Sequence, residues 1–399
     1  LALRLIVQKF GGTSVGSIER IKSVADHVSL TVKGGNKLVV VVSAMGTHTD
    51  ELLNMALSLS SAPQKRELDM LLTVGERVSM SLLSIRLHEL GITSVSLTGS
   101  QCGILTDENH GNARITKILG DRIRQSLENH DLVIVAGFQG VNPQTKEITT
   151  LGRGGSDLTA LAIAHALKAN YCEIYKDVDG VCTADPETVP SAQVLKQISW
   201  TTLCELTWAG ASILHPRAVH LAAKYKIPFT IRSSFNWLKE GTDVKGVSLM
   251  ETPCIKAIAH KNSLALLQFE LGNEVATTAK GLHWLWEHGE ATQITQQTVM
   301  DSKSFLTQLI PVKLAAKYGE FMKAQRCELV RKEHDLCCIT IVGEGFSQSP
   351  ETLSKILQSI ECKVYLIDTS NTSILIGVKD KDHEQVMRTL HQNFIENEA

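Results

Sequence analysis

Two short runs in this chain join a cation to a pair of glycines. The first, KFGGTSV at residues 9–15, directly follows an apolar stretch. Consecutive glycines let backbone N–H groups turn inward toward an anion, and the next helix adds its positive end. Lys9 beside them reaches a phosphate oxygen as a point charge. The spacing is not that of a Walker loop, which needs G-x-x-x-x-G-K-[ST]. The second run, LGRGGSD at residues 151–157, repeats the arrangement with Arg153, Gly154 and Gly155, and offers Ser156 as a cap or a ligand hydroxyl. A guanidinium grips a carboxylate with two parallel hydrogen bonds. Each run alone has a plainer reading: Gly11 and Gly12 as a tight strand-to-helix turn, Ser156 and Asp157 as helix-start residues. Two such runs in one α/β domain point to phosphate handling.

Three further segments are less specific. SAMGTHTD at residues 43–50 follows a buried strand and should fall at the carboxyl edge of the sheet, where such folds place ligands. TVGER at residues 73–77 lies within a long helical pattern, where Gly75 costs about 1 kcal/mol against Ala and so implies a close approach by backbone or ligand. Glu76, taken alone, reads as a solvated surface carboxylate. KDVDGVCTADP at residues 176–186 ends a strand and holds three aspartates; alone it reads as a turn.

These residues need elements to hold them. Apolar strands at Leu3–Val7, Leu38–Val42, Ser94–Leu97, Leu132–Ala136, Glu173–Tyr175 and Phe229–Ile231 alternate with helical patterns. Ser17 is positioned to cap the first helix, and a helix over Lys65–Leu90 ends at Gly91 as a C′ glycine. The alternation predicts an α/β layered fold with a mainly parallel sheet. After about Glu251 the rhythm becomes β-α-β-β-α-β, with strands at Leu264–Phe269, Cys337–Val342, Val364–Ile367 and Ile374–Val378 and helices at Ser354–Ile360 and His383–Phe394. That fits a ferredoxin-like module and puts a boundary near residues 245–255.

Composition narrows the function classes. A chain of 399 residues predicts two or three domains. With 43% hydrophobic and 21% charged residues it is not disordered, collagen-like or a coiled-coil rod. A net charge of −2 lacks the basic surplus of a nucleic-acid binder. The longest apolar stretch, Leu38–Val42, falls far short of the ~20 residues of a membrane helix. Nine cysteines, an odd number without C-x-x-C or zinc spacing, read as reduced thiols of a cytoplasmic protein. The amino terminus shows no secretory leader, and the first residue is Leu rather than Met.

In this order the motifs KFGGTSV, SAMGTHTDELL, GERVS, TTLGRGGSDLTA, DVDGVCTADP and ILHPRA resemble the aspartate kinase family of the amino-acid kinase superfamily, from Lys9 to about Ser234. The resemblance implies a three-layer αβα sandwich and ATP-dependent phosphorylation of the β-carboxylate of L-aspartate, the first step toward lysine, threonine and methionine. Carried over residue by residue, it puts Lys9, Phe10, Gly11 and Gly12 on the ATP phosphates, with Lys9 stabilising charge on the transferring group. It puts Thr49, Glu76, Arg153, Gly154, Gly155, Ser156 and Asp157 around aspartate, with Glu76 suited to the α-ammonium, Arg153 to a carboxylate, and Asp157 alternatively orienting Lys9. Lys176, Asp177, Cys182, Asp185 and Ser212 would lie along the nucleotide. Mg²⁺ would arrive with ATP, and no protein metal site is implied. The substrate carboxylate is ionised at pH 7, so no general base is needed; the fourteen histidines read as surface or core residues, and His215 as a helix-start residue.

Three positions depart from the family pattern, all on the nucleotide side. Ser212 replaces a Lys, Glu187 an Arg, and Cys182 an aromatic residue. Lys176 stands where many relatives have Thr or Ser, and could restore the lost charge. The region 251–399 is similar to paired ACT modules, the second at about 335–397, carried by TIVGEG at residues 340–345 and YLIDTSN at residues 365–371. The first is harder to discern around residues 272–280. Such modules imply a homodimer or higher oligomer and an end-product effector such as lysine or threonine. The alternatives are a catalytically weak regulatory subunit, or a superfamily kinase acting on glutamate, N-acetylglutamate or UMP.

Overall fold

The computed structural model describes residues 4–246, 254–271, 275–290, 294–301, 303–344 and 349–396. The chain begins with β1 (Leu5–Phe10), α1 (Ile18–Lys33), β2 (Lys37–Val42), α2 (His48–Leu59), α3 (Lys65–Leu72), α4 (Val74–Glu89) and β3 (Ser94–Leu97). Next come β4 (Ile104–Thr106), β5 (Ile115–Ile118), α5 (Asp121–Asn129), β6 (Leu132–Ala136), β7 (Gln139–Val141) and β8 (Ile148–Thr150). Then follow α6 (Gly155–Leu167), β9 (Tyr171–Lys176), β10 (Gln197–Ile198), α7 (Trp200–Trp208), α8 (Pro216–Tyr225), β11 (Phe229–Ser233) and β12 (Thr242–Val244).

Eight of these strands form one sheet in the order β10-β12-β11-β9-β1-β2-β6-β3. Every neighbouring pair is parallel except β11 with β12. β2 reads KLVVVV and is buried over its last five residues, as a strand covered on both faces must be. Its alternate residues Leu38, Val40 and Val42 join a core with Ile21, Val24 and Val28 of α1 and Leu83 and Leu87 of α4. The opposite set on β1 includes Lys9, and that face meets α6, whose residues 155–164 are all buried. Ser17 caps α1 by accepting from the Arg20 amide at 3.2 Å, and Gly91 takes φ +76° just past α4, both as expected.

The single helix expected over Lys65–Leu90 is two. The break falls at Thr73, whose carbonyl accepts from the Gln139 side-chain amide at 3.2 Å rather than continuing the helical ladder. Gly75 therefore lies in the first turn of α4, not in mid-helix. The four-stranded sheet β5-β4-β7-β8 has strands of three or four residues, too short for any periodicity to show.

The remainder runs β13 (Cys254–Leu271), α9 (Val275–Glu287), β14 (Ile294–Met300), β15 (Lys303–Pro311), α10 (Val312–Ala324), β16 (Glu328–Glu344), α11 (Pro350–Gln358), β17 (Leu366–Thr369), β18 (Ser373–Lys379) and α12 (His383–His391). These strands make one antiparallel sheet, β14-β15-β13-β16-β18-β17. β13 and β16 are long and irregularly paired; the two halves of β13 serve two separate cores, and Cys337, Ile339 and Ile341 of β16 join the one that holds Ile255 and Ile258. Two helices in this region were expected, whereas α9 and α10 with β14 and β15 supply another ferredoxin-like half. Residues 272–274, in the segment where the first module is hardest to discern, and Gly345, at the end of the TIVGEG run, lie outside the described residues.

By contacts the described residues form two compact units. Residues up to 181, 194–204 and 212–246 make the first; residues 182–193, 205–211 and those from 254 onward make the second. Ala184 and Val189 accordingly belong to the core built by Ile255, Ile339, Ile376 and Leu390. Among the described residues no helix is long and apolar enough to cross a membrane.

Candidate active site

The carboxyl end of β1 delivers Lys9, and the first turn of α6 delivers Asp157, to the same place. Lys9 Nζ lies 2.6 Å from Asp157 Oδ1, and both side chains are almost fully buried. Lys176, at the end of the neighbouring strand β9, holds the other oxygen at 3.1 Å. One carboxylate is thus gripped by two ammonium groups. Burial alone would raise Asp157, but Lys176 and Lys9 together outweigh it and hold the carboxyl at about 2. Burial pulls Lys9 below the ordinary ammonium range against the attraction of Asp157, and the Lys176 charge lowers it further. The cluster carries one surplus positive charge, Lys9 buried and Lys176 partly exposed, a natural seat for an anion. Asp157 does not cap α6: Gly154 is the N-cap, with no side-chain hydrogen bond.

Glu76 is not the solvated carboxylate that its sequence context alone suggests. It is 3% exposed, and its Oε1 accepts from the Ala44 amide at 3.0 Å. Its Oε2 is buried without a hydrogen-bond partner among the described residues. Burial pushes the carboxyl up to about 7, opposed by its own and the Ala44 amides and by the Lys9 charge. The expected close approach at Gly75 is present, since a Cβ there would stand 2.6 Å from that of Ala44. Thr49 is half-buried in the first turn of α2, beyond the same β2 loop.

At the first glycine pair, the Gly11 amide is spent on the Tyr175 carbonyl at 3.3 Å, so the turn is not a free pair of donors. Space also demands glycine: a Cβ on Gly12 would meet the Ala44 and Gly46 carbonyls at 3.1 and 3.2 Å. Phe10 points into the core, stacked on Tyr175 at 4.9 Å, and leaves only its backbone to the site. At the second pair, Gly154 has φ +68°, and its missing Cβ would lie 2.1 Å from that of His215. Ser156 is buried beside Gly137, while Arg153 is exposed, with no hydrogen bond or ion pair among the described residues. His215 starts α8, its Nδ1 accepting from the Arg217 amide.

The remaining nucleotide-side candidates are more dispersed. Asp177 is exposed, and its charge acts on Lys9. Ser212 is an exposed turn residue of the first unit. Cys182 and Asp185 belong to the second unit, where the Asp185 carboxylate caps its own turn by accepting from the Glu187 amide at 3.0 Å. Sequence reasoning missed two polar anchors, Asp69 and Arg217. Arg217 stands in the ILHPRA run and so was within reach of the motif reading, but its role was not, and nothing local marks Asp69; the partners of both lie tens of residues away.

Residues 4–233 match the amino acid kinase family, and residues 339–394 match an ACT domain. The chain is 43% identical to the aspartokinase of Geobacillus stearothermophilus, over 98% of this chain and 97% of that one. It is 40% identical to aspartokinase 2 of Bacillus subtilis, again over 98% of this chain and 97% of that one. Its fold is similar to E. coli aspartokinase III solved with aspartate and ADP in the R-state, with TM-score 0.80 at 24% identity, covering 98% of this chain and 99% of that one. With the motifs in order, the kinase core and relatives matched along nearly their whole length, the chain belongs to the aspartokinases of the amino acid kinase family.

Proposed function

We propose that this chain transfers the γ-phosphoryl group of ATP to the β-carboxylate of L-aspartate, giving 4-phospho-L-aspartate, the entry to lysine, threonine and methionine synthesis. The observation that carries the reading is the buried Lys9–Asp157–Lys176 cluster, together with the unpartnered oxygen of Glu76. An ionised acceptor carboxylate attacks phosphorus without a general base, so the protein has only to position and neutralise. Asp157 orients Lys9, and the surplus charge of the two lysines meets the transferring phosphoryl group. Lys176 supplies a cation on the nucleotide side, where Ser212 brings none. Glu76 Oε2 accepts from the α-ammonium of aspartate. Arg153 pairs with a substrate carboxylate, with Thr49, Ser156 and the Gly154–Gly155 backbone completing that half. The backbone of Phe10, Gly11 and Gly12, with Asp177, Cys182 and Asp185, lines the nucleotide.

Mg²⁺ would enter with ATP, held by phosphate and water oxygens. Residues 1–250 form the catalytic domain in this reading. Residues 251–399 form paired ACT modules, the second at about 335–397, which join subunits into a dimer or larger oligomer and take an end-product amino acid, lysine or threonine. The nine cysteines, none in a disulfide, suit a cytoplasmic setting.

Trapping the acyl phosphate with hydroxylamine tests the reaction. Aspartyl hydroxamate should form from ATP, Mg²⁺ and L-aspartate, but not from glutamate or N-acetylglutamate, and Lys9→Ala should abolish it. Folded protein that yields none at saturating ATP, GTP or CTP would refute the catalytic reading and leave a regulatory subunit.

A further inference from the structure

The loop at residues 151–155 carries Arg153 and leads into Ser156 and Asp157, yet its own backbone is exposed in part and rich in glycine. Two polar anchors hold it, one buried and one half-buried. Asp69, on α3 and fully buried, accepts from the Thr150 hydroxyl at 2.5 Å, from the Gly111 amide at 3.1 Å, and pairs with His110 Nδ1 at 2.6 Å. Arg217, in the first turn of α8, donates to the Leu151 carbonyl at 2.6 Å, the Asn112 side-chain oxygen at 2.5 Å and the Ala113 carbonyl at 2.9 Å. The two grips interleave along both segments: Asp69 takes residues 110, 111 and 150, and Arg217 takes 112, 113 and 151. The Ala113 amide closes the seam on the Thr150 carbonyl at 2.9 Å. Gly152 then fits against Gly111 and Asn112 with no room for a Cβ, which would approach both at 3.1 Å.

Arg217 spends its fork on uncharged oxygens, with no ion pair to a carboxylate among the described residues. A guanidinium so placed fixes geometry rather than cancelling charge. We infer that Arg217 and Asp69 are positioning residues for the substrate half of the site: they set the 151–155 loop so that Arg153 and the α6 amino end meet the aspartate carboxylate. This rests on the reading that the loop binds aspartate, and it adds two residues that touch no reactant.

The test is a split in kinetic constants, in the hydroxamate assay on the full chain. Arg217→Lys keeps the charge but loses the fork, and should raise the KM for aspartate about tenfold or more while leaving the KM for ATP unchanged. Asp69→Asn should do the same from the other side. In Arg217→Ala, added guanidinium chloride at sub-denaturing concentration should lower the KM for aspartate again, which a merely stabilising residue would not allow. Unchanged KM for aspartate in the folded variants overturns the inference, as does an equal rise for both substrates, or failure of all three variants to fold. If the wild-type chain itself makes no aspartyl hydroxamate, it is the underlying reading of the loop that fails.

Discussion

Glu76 links the chemistry to pH. Its carboxyl sits at about 7 against an ordinary 4.5 because it is buried, so the fold favours the protonated form. The stability this group contributes is fully present below about 4.5 and is lost as pH rises through about 7, at most about 3 kcal/mol. A substrate ammonium needs the carboxylate, so binding must be coupled to loss of that proton. The KM for aspartate should therefore fall as pH rises from 6 to 8 while the KM for ATP does not; Glu76→Gln should flatten the profile and melt later than wild type at pH 8, the gap shrinking toward pH 5. A wild-type KM for aspartate indifferent to pH would remove Glu76 from the ammonium site. Asp157 has the opposite sense. Two ammonium groups hold it at about 2, so its contribution persists above about 4 and is lost only as pH falls through about 2. Asp157→Asn strands Lys9 in a buried site beside Lys176 and should cost about 3–5 kcal/mol at pH 7 with loss of activity, read by denaturant melts and the hydroxamate assay. A variant as stable as wild type would mean the lysines have other partners.

Elements show how far local pattern reaches. The β-branched run Leu38–Val42, the Ser17 cap and the Gly91 stop were all legible, because each is decided by neighbours a few residues away. The break at Thr73 was not, since the Gln139 amide that takes its carbonyl is 66 residues distant. The burial of Glu76 was hidden likewise: the loop after β2 covers it, and helical spacing carries no trace of that loop. Gly75 was legible as a close approach but not as to what approaches. Its neighbour turns out to be Ala44, whose Cβ would be 2.6 Å from an added methyl. In an uncrowded helix Gly→Ala gains up to about 1 kcal/mol. Here α4 must move away from the β2 loop, so Gly75→Ala should instead destabilise by about 1–3 kcal/mol. It should also raise the KM for aspartate, because Glu76 moves with it. A stabilised variant would show that α4 can shift freely.

At the scale of the whole chain, the cut at residue 250 that the sequence recommends has a consequence for the nucleotide segment. Residues 182–193 precede that point, yet their partners follow it. The Thr183 carbonyl accepts from the Ile258 amide, and its hydroxyl lies 2.8 Å from His391 Nε2. Arg388 donates to the Thr188 carbonyl at 2.9 Å, and Ser191 to Glu396 at 2.5 Å. Ala184 and Val189 fill the core of that later module. A fragment ending at 250 would keep Lys9, Glu76, Arg153 and Asp157 but leave Ala184 and Val189 uncovered and the Thr183 and Thr188 carbonyls without their partners. Its turn hydrogen bonds within residues 183–193 would remain, but with its apolar side chains bared to water it should lose order. Cys182 and Asp185 lie on it; the proposal that they line the nucleotide predicts that the defect falls there, so aspartate should still bind by calorimetry while the KM for ATP climbs or turnover disappears. Restoring residues 251–399 as a separate chain should recover part of the activity if the two pieces reassociate. A fragment with the full chain's turnover and KM for ATP would mean that residues 182–193 do not contribute to nucleotide binding, whatever module they pack with.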